Sequence, residues 1–486
     1  MAGIGFELKK LFNGRTASSY LKAYSYSAVI TAGPFALMTG MVLAIQLMFV
    51  LFGVSEEESR LYTASIIYPF VFSHILSSGF VMVITRYLAD LLYSGDHREV
   101  TASLFGILAF TSLIGSLAAI CFFWNKPLDF FVKLLTYLVF MQMLAIWLQG
   151  VYLTAVKNYR GLFQSYICGV LVSILLSFFV LYTGCLPPVP GVLLAMNIGI
   201  ACIVTLFFVH IIRYFGYHAQ GLNFSFLPYF EKHPCLFFIA FFYALALYLP
   251  NIIIWQGPMG VRIADTYVYA PVYDVVTFYA FLSILPVMMM FVVSTELHFY
   301  EKYAVYFKYI TQKGNFRDIE DAKQDVLHTL WVELRNIAEF QLVFSLIFLA
   351  LGNYFLTLLG LSSEAVNIYI MIVLGAFFLG IVQVMYTMLL YFEDQKGVLW
   401  IVGTLLTAVL VFGIIGFFLG EKSYGFTFFL ATALAFLAAY FRMAYFCRRI
   451  DYFIFCSRPV FYLESKGIFT KLSKWFAGRA AAGEKE

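Results

Sequence analysis

The sequence has little charge: only 12% of its 486 residues are Asp, Glu, Lys or Arg, whereas 62% are hydrophobic. Soluble domains carry about 25% charged residues, so this composition excludes a water-soluble fold. Apolar runs of roughly 20 residues, the length needed to cross a bilayer, recur along the chain. The net charge of +4 is small for this length and gives no support for nucleic-acid binding. The sequence therefore predicts an integral membrane protein.

Motifs of nucleotide hydrolysis and of hydrolytic or metal chemistry are also missing. There is no GxxxxGK[ST] phosphate-binding loop, GxSxG elbow or HExxH pair. The seven cysteines are scattered, without the CxxC or Cys/His spacing of a metal site. The dense acidic cluster Asp318, Glu320 and Asp321 is interleaved with basic residues, which indicates a solvated helix face. We therefore expect a transporter rather than an enzyme, with neither cofactor nor metal.

Apolar runs between polar or Gly/Pro breaks predict twelve transmembrane helices. The first six are expected near residues 24–52, 62–86, 100–124, 130–156, 162–183 and 192–213. The other six are expected near residues 234–256, 272–296, 336–360, 367–392, 398–420 and 426–446. Of the 31 Lys and Arg residues, 26 fall on the side of the membrane that carries both termini. The positive-inside rule makes that side cytoplasmic.

The polar break at residues 214–233 divides the spans into two groups of six. Because an even number of spans returns the chain to its starting side, two such repeats must lie parallel to each other. The predicted fold is an all-α membrane protein whose N-lobe (24–213) and C-lobe (234–446) surround a central cavity. The remaining segments are expected to be cytoplasmic: an amphipathic N-terminal segment (1–23), the inter-lobe linker (214–233), an amphipathic insert (297–335) and a basic tail (447–486).

Short strings along the chain resemble one known family. The N-terminal sequence MAGIGFELKKL (1–11), then Ser25-Tyr26-Ser27, and Ala32-Gly33-Pro34 at the start of the first span resemble the PelG family of Pel exopolysaccharide exporters. Arg86-Tyr87-Leu88-Ala89-Asp90 and the twelve-span layout extend this resemblance over essentially the whole chain. It implies a member of the multidrug/oligosaccharidyl-lipid/polysaccharide (MOP) exporter superfamily in a bacterial cytoplasmic membrane.

The resemblance also implies a substrate and partners. The substrate would be a growing N-acetylhexosamine-rich polymer that is exported for biofilm matrix formation. The partners would be a cytoplasmic glycosyltransferase that makes this polymer and membrane subunits that sense cyclic di-GMP. A flippase for undecaprenyl-linked oligosaccharides remains the alternative within the superfamily. A flippase would need several Arg or Lys residues in its cavity to hold a diphosphate, and mid-span basic residues are nearly missing, which favours a neutral polymer.

Polar side chains within the spans are the candidates for a transport path, because burying them in hydrocarbon is costly unless they face protein or water. Aromatic side chains join them, since sugar rings stack on aromatic faces. The candidates are His74, Gln142, Trp147, Gln149, Asp274, Tyr279, Gln383 and Tyr386. The alternative for each is an interhelical contact that only holds helices together, and for Asp274 an ion pair with Arg262.

Charged residues near the cytoplasmic ends of the spans indicate two further sites. Glu296, Arg335 and Glu339 are candidates for ion pairs at a cytoplasmic gate, and a structural pair between Arg335 and Glu339 is favoured over a substrate site. In the insert, apolar residues recur at helical spacing before and after Gly314, which predicts two amphipathic helices. The basic residues of this insert would either dock the glycosyltransferase or contact lipid phosphates, and the docking candidates are Lys308, Lys313 and Arg317.

Overall fold

The computed structural model describes residues 17–95, 97–216, 223–312, 314–456 and 467–483. The N-terminal string of the resemblance, residues 1–16 of the expected N-terminal segment, Lys313, residues 217–222 of the linker and parts of the tail lie outside the described residues. The described chain is almost entirely helical.

The first half consists of six long helices, a short helix, a seventh long helix and a small hairpin. The helices are α1 (Ala17–Leu51), α2 (Glu56–Ser94), α3 (Arg98–Phe123), α4 (Phe130–Ala155), α5 (Tyr159–Thr183), α6 (Pro188–Phe215), α7 (Pro228–Lys232) and α8 (Pro234–Trp255). The antiparallel strands β1 (Val261–Ile263) and β2 (Tyr267–Tyr269) follow.

The second half begins with an interrupted helix. This helix consists of α9 (Pro271–Phe281), a 3-10 turn (Leu282–Ile284), α10 (Leu285–Ser294) and a π-helical turn (Thr295–Phe299). The remaining helices are α11 (Tyr300–Thr311), α12 (Phe316–Leu358), α13 (Ser363–Tyr391), α14 (Gln395–Leu419), α15 (Tyr424–Arg448) and α16 (Ile468–Gly483).

Twelve helical segments of the described chain are long and apolar enough to cross a membrane, which confirms the predicted number. They are α1 to α6, α8, α9 with α10, and α12 to α15. Local chemistry explains where several of them begin, because a side-chain oxygen at the N-cap accepts a hydrogen bond from an unpaired N–H of the first turn. Such N-cap residues are Ser55, Asp129, Asn158, Ser362 and Asp394.

The predicted insert differs from the structure in its second part. Its first half forms α11, which follows the π-helical turn without a break, and its second half is continuous with the ninth span in the 43-residue helix α12. The second amphipathic helix is therefore not a separate element. Hydropathy marks where a helix becomes apolar, whereas the backbone hydrogen bonds of α12 continue past that point.

Two small elements were not predicted. The hairpin turn places Ala264 and Asp265 at φ values of 47° and 45°, as a type I′ turn requires, without the usual Asn-Gly. Tyr68 on α2 holds this hairpin, because its hydroxyl bonds both the carbonyl oxygen (2.8 Å) and the N–H (2.9 Å) of Val268. The second element is α16, which lies within the segment expected to be a basic tail.

The described chain divides into two compact units. The N unit comprises the described parts of Gly33–Tyr248, Val261–Tyr269 and Phe461–Glu486. The C unit comprises those of Met1–Ala32, Leu249–Gly260 and Ala270–Val460. This division differs from the expected lobe boundaries, because most of α8 belongs to the N unit.

Packing explains where the first part of α8 belongs. The rings of Phe237 and Phe80 are 5.4 Å apart, and a Cβ added to Gly79 would lie 2.6 Å from Phe237. Gly79 and Phe80 both lie on α2. The start of α8 is therefore closely packed within the N unit.

The two units repeat the same scheme of helix pairing. We number the spans from one to six within each half of the chain. In both halves the second span packs on the fourth, the third on the fourth, the fourth on the sixth and the fifth on the sixth. Equivalent backbone features are 236 residues apart: the N-caps Asn158 and Asp394 (394 − 158), and the positive-φ glycines Gly184 and Gly420 that end the fifth spans. The chain thus contains two structurally similar halves.

Candidate transport site

His74 and Trp147, both predicted path residues, lie together in the N unit. The His74 ring on α2 is 4.7 Å from the Trp147 ring on α4, measured between centroids. The Nδ1 atom of His74 is 3.1 Å from the Tyr248 hydroxyl oxygen on α8, and the Trp147 N–H donates to Ser73 Oγ at 3.1 Å. We call Ser73, His74, Trp147 and Tyr248 the His74 cluster.

The His74 cluster combines aromatic faces with hydrogen-bonding groups. His74, Trp147 and Tyr248 are half-buried, and three different helices contribute them. Phe70 extends the aromatic surface, with its ring 5.9 Å from that of Trp147. This composition matches what a sugar ring presents, namely an apolar C–H face and a rim of hydroxyl groups.

The two predicted glutamines on α4 have unused hydrogen-bonding capacity. Gln142 is half-buried and Gln149 is buried. The side-chain carbonyl oxygen of each is buried and has no hydrogen-bond partner among the described residues. Buried polar atoms are nearly always paired, so each oxygen is an acceptor without a protein donor.

Asp274 is fixed by neutral donors of the C unit. One carboxylate oxygen accepts from Asn251 Nδ2 at 2.7 Å, and the Trp255 indole N–H lies 3.0 and 3.1 Å from the two oxygens. The Ala270 N–H donates to the second oxygen at 3.1 Å. These bonds join the end of α8 to the start of α9, where the positive end of the helix dipole also favours a carboxylate.

The other path candidates of the C unit are on two helices, Tyr279 on α9 and Gln383 with Tyr386 on α13. Tyr279 is half-buried and packs edge-on against Phe355 of α12, with ring centroids 5.3 Å apart. Gln383 and Tyr386 are half-buried and lie one turn apart on α13. Gln383 is also 236 residues from Trp147, so the two occupy equivalent positions in the repeat.

Of the three predicted gate residues, Arg335 and Glu339 form an ion pair with each other. Arg335 Nε is 3.6 Å from Glu339 Oε1, and both side chains are about two-thirds exposed, at 68% and 69%. Such an exposed pair stabilises a helix only weakly. Glu296 lies in the π-helical turn, and its side chain is outside the described part of the structure.

Sequence reasoning missed a buried carboxylate beside these residues. Glu333 on α12 accepts a hydrogen bond from Ser294 Oγ at 2.5 Å and lies 2.9 Å from His298 Nδ1. Its side chain is 9% exposed, whereas that of His298 is 60% exposed. The hydrogen bond with Glu333 raises the pKa of His298 above its usual range. The π-helical turn supplies His298, and no sequence pattern predicts such a turn.

The predicted docking residues lie on a segment held by ion pairs. Lys302 Nζ is 2.7 Å from Asp325, and Lys323 Nζ is 3.0 Å from Asp451. The first pair joins α11 to α12, and the second joins α12 to Asp451, three residues after the end of α15. Lys308 and Arg317, the docking candidates that the structure describes, are exposed on α11 and α12.

A second ion pair was also missed. Arg442 on α15 donates to both carboxylate oxygens of Asp394, at 2.8 and 2.7 Å. The side chains are 19% and 5% exposed. Asp394 also caps α14 by accepting from the Gly397 N–H at 3.1 Å. In the described residues, no group of three or more His, Cys, Asp or Glu is placed to hold a metal ion.

The fold of the chain is similar to that of several solved transporters. It is similar to the Vibrio cholerae MATE transporter VcmN in its bent form, with a TM-score of 0.59, 12% identity and coverage of 93% of this chain and 99% of that one. It is also similar to a MOP superfamily transporter from Pyrococcus furiosus, with a TM-score of 0.51, 13% identity and coverage of 87% and 96%. The chain is therefore a multi-pass membrane protein with the fold of the MOP superfamily transporters.

The sequence identifies the family within this class. The chain belongs to the PelG family, described as "Putative exopolysaccharide Exporter (EPS-E)", whose match covers residues 1–455. This membership implies a polysaccharide substrate. No curated protein matches the chain.

Proposed function

We propose that this protein exports a growing, N-acetylhexosamine-rich polysaccharide of the Pel type across the bacterial cytoplasmic membrane for biofilm matrix formation. The family match over residues 1–455 carries the proposal. The transporter fold supports it, since a MOP-type chain provides membrane passage without requiring chemistry of its own.

The His74 cluster is the first part of the path that we assign. Its aromatic faces would stack on sugar rings, while His74 and Tyr248 would exchange hydrogen bonds with hydroxyl and amide groups. Gln142 and Gln149 add buried oxygens without a protein donor, which suit the N–H of an N-acetyl group.

The C unit contributes the remaining path residues of this proposal. Gln383, equivalent to Trp147 in the repeat, and Tyr386 would offer hydrogen bonds, and Tyr279 an aromatic face. Asp274 keeps its role as a negative charge near the predicted outer ends of α8 and α9. Its neutral donors support this role, because none of them cancels the carboxylate charge.

A neutral polymer fits better than a lipid diphosphate, the substrate of the alternative flippase. A diphosphate needs cationic groups within the spans. Arg442 lies within a span, but it donates to both oxygens of Asp394 and is therefore already neutralised. Because Arg442 is paired with Asp394, it is not available to a diphosphate, which favours export of the polymer over flipping of a lipid-linked unit.

The proposal includes a cytoplasmic partner, because a polymer made in the cytoplasm must enter the transporter directly. We assign the docking of a glycosyltransferase to the exposed cations Lys308 and Arg317, and keep Lys313 as part of the same hypothesis. Lys302 and Lys323 already pair with Asp325 and Asp451, whereas Lys308 and Arg317 are exposed cations of the same segment, which supports this choice. Cyclic di-GMP-sensing membrane subunits complete the proposed assembly.

Secretion by a Trp147→Ala variant tests the path. We expect secreted polymer to fall about tenfold at equal membrane level, the effect of losing about 1.4 kcal/mol of interaction. Trp147→Phe keeps an aromatic face and should retain most of the secretion. The matched control is Trp400→Ala, because Trp400 is 55% exposed on α14. Wild-type secretion by Trp147→Ala, or an equal loss in the control, would contradict the assignment.

A further inference from the structure

Helix α16 is firmly attached at its first turn. Glu231 of α7 accepts hydrogen bonds from the N–H groups of Gly467 (3.1 Å), Phe469 (2.6 Å) and Thr470 (3.2 Å), and from the Thr470 hydroxyl (2.6 Å). The first N–H groups of a helix have no intrahelical partner, and a carboxylate there also meets the positive end of the helix dipole. Glu231 therefore fixes where α16 begins.

One face of α16 is covered by the N unit. Phe476 stacks on Phe224 with centroids 4.3 Å apart, and the Phe469 ring is 5.7 Å from that of Phe230. Leu472 packs against the hydrophobic core of the same unit. This face is thus accounted for, and the question is what the opposite face contacts.

The attachment places α16 at the level of the membrane surface. Glu231 precedes Pro234, the first residue of the spanning helix α8, by three residues. Because His233 between α7 and α8 is not helical, these three residues can span at most about 11 Å, which keeps Glu231 within or next to the headgroup layer. The first turn of α16 therefore lies where the hydrocarbon gives way to headgroups, on the side that the charge distribution predicts to be cytoplasmic.

The outward arc of α16 combines apolar and cationic side chains. At 100° per residue, Trp475 and Ile468 adjoin the packed face, and Lys471 and Lys474 follow them around the helix. Ile468 is 81% exposed and Trp475 is 49% exposed. Both lysines are exposed as well. Trp beside Lys is the pattern of a helix that lies in a membrane interface.

We propose that α16 binds the anionic phospholipid headgroups of the leaflet that borders the start of α8. Trp475 and Ile468 enter the interfacial layer, and Lys471 and Lys474 contact phosphate groups. The two lysines lie next to Ile468 and Trp475 on the helix surface, just as phosphate lies next to acyl chain in a leaflet. This match indicates a lipid as the occupant. Free phosphate would leave Ile468 in water. The family match ends at residue 455, so α16 is an element of this chain beyond the family region.

The first test compares thermal unfolding of the full-length protein in nanodiscs of phosphatidylcholine, with and without phosphatidylglycerol. We expect phosphatidylglycerol to raise the midpoint by about 4 °C, since each surface lysine interacts favourably with anionic lipid. The double variant Lys471→Glu/Lys474→Glu should lose this gain and unfold at the wild-type midpoint in phosphatidylcholine alone. The charge-matched control is Lys157→Glu/Arg160→Glu, at two exposed cations near the start of α5, which should keep the gain.

Three outcomes would overturn the proposal. The first is an equal loss of the gain in both double variants, which would make the effect one of general charge. The second is reproduction of the gain by inorganic phosphate in phosphatidylcholine discs, which would indicate a free anion site. The third comes from brominated phospholipids: the fluorescence difference between wild type and Trp475→Phe should be quenched, and absence of quenching would indicate a soluble partner instead of a lipid.

Discussion

The loop between α4 and α5 in the N unit and the loop between α13 and α14 in the C unit share a backbone but differ in charge. Lys157 and Glu393 both have positive φ, at 64° and 59°. Asn158 accepts a hydrogen bond from the N–H of a glycine three residues on, at 3.0 Å, and Asp394 does the same at 3.1 Å. In the described residues, an arginine donates to the capping side chain in the C unit alone: Arg442 of α15 binds Asp394.

The difference shows which features the repeat requires. A helix cap needs one acceptor oxygen, which Asn and Asp both supply, so the backbone is the same in both units. An ion pair needs a third residue at a fixed place, and the position equivalent to Arg442, 236 residues earlier, is Leu206. The halves have therefore kept their local geometry while their electrostatics diverged.

The largest effect is expected from Asp394→Ala. This substitution removes a helix cap and also leaves the mostly buried Arg442 guanidinium without its carboxylate. We expect the free energy of unfolding to fall by about 3 kcal/mol, the low end for a broken buried pair, because Arg442 is 19% exposed. Denaturant unfolding in detergent micelles measures it.

Two controls sharpen this comparison. Asn158→Ala removes only a cap and should cost about 1 kcal/mol. Asp394→Asn with Arg442→Leu gives the C unit the residues of the N unit and should recover most of the loss. If Asp394→Ala costs no more than Asn158→Ala, the ion pair does not distinguish the two loops.

An intermediate effect is expected where the fifth and sixth spans cross. A Cβ on Gly199 would lie 2.4 Å from the Gly169 carbonyl oxygen and within contact of Ser173. The equivalent residue of the C unit, 236 positions later, is the fully buried Ala435. Gly199→Ala should therefore cost about 2 kcal/mol by overpacking, measured by the same unfolding assay.

The reverse substitution is the control for the crossing. Ala435→Gly removes a methyl group and adds backbone freedom, so it should cost about 1 kcal/mol. A Gly199→Ala variant as stable as the wild type would show that α5 and α6 can separate as readily as α14 and α15.

The smallest effect concerns the second span of each unit. In the N unit, α2 is one continuous α-helix, whereas the C-unit counterpart is interrupted by the π-helical turn that carries His298. Glu333 raises the pKa of His298, with a smaller contribution from the charge of Glu301. The protonated pair therefore stabilises the fold fully below the ordinary His pKa of 6.5, and this contribution is lost as the pH rises through the raised value.

The expected change is less than about 1 kcal/mol, because His298 is largely exposed to solvent. Thermal unfolding between about pH 6 and pH 8 measures it. His298→Gln should remove the pH dependence that this pair adds. His328→Gln is the matched control, since His328 is exposed on α12. An unchanged pH profile in His298→Gln would exclude the pair as its source.

The membrane spans were predictable because their apolar length is a property of continuous sequence. The extension of α12 was not, since its water-exposed turns have no hydropathy signal. The hairpin was missed because its strands have only three residues each and its turn lacks Asn-Gly. Helix α16 was missed because its basic residues matched the composition expected of a tail.

The candidate site was predictable as residue types but not as contacts. His74 and Trp147 stood out as polar or aromatic groups within spans. Their hydrogen-bond partners did not, because Tyr248 is 174 residues from His74 and Trp147 is 74 residues from Ser73. Glu333 and Arg335 are both charged residues at the start of the ninth span, and the sequence does not show which of them faces the protein. The helix register decides it: Glu333 is buried and Arg335 is exposed.

The length of α12 has a mechanical consequence. Its 43 residues form one unbroken rod of about 64 Å, roughly twice the thickness of the hydrocarbon layer. The part before the predicted span, residues 316–335, projects about 30 Å. A tilt of about 10° at the membrane would swing the tip of this arm by about 5 Å. Since the rod has no joint, a force on the tip is transmitted to the spanning part, residues 336–358, which forms a second arm of similar length.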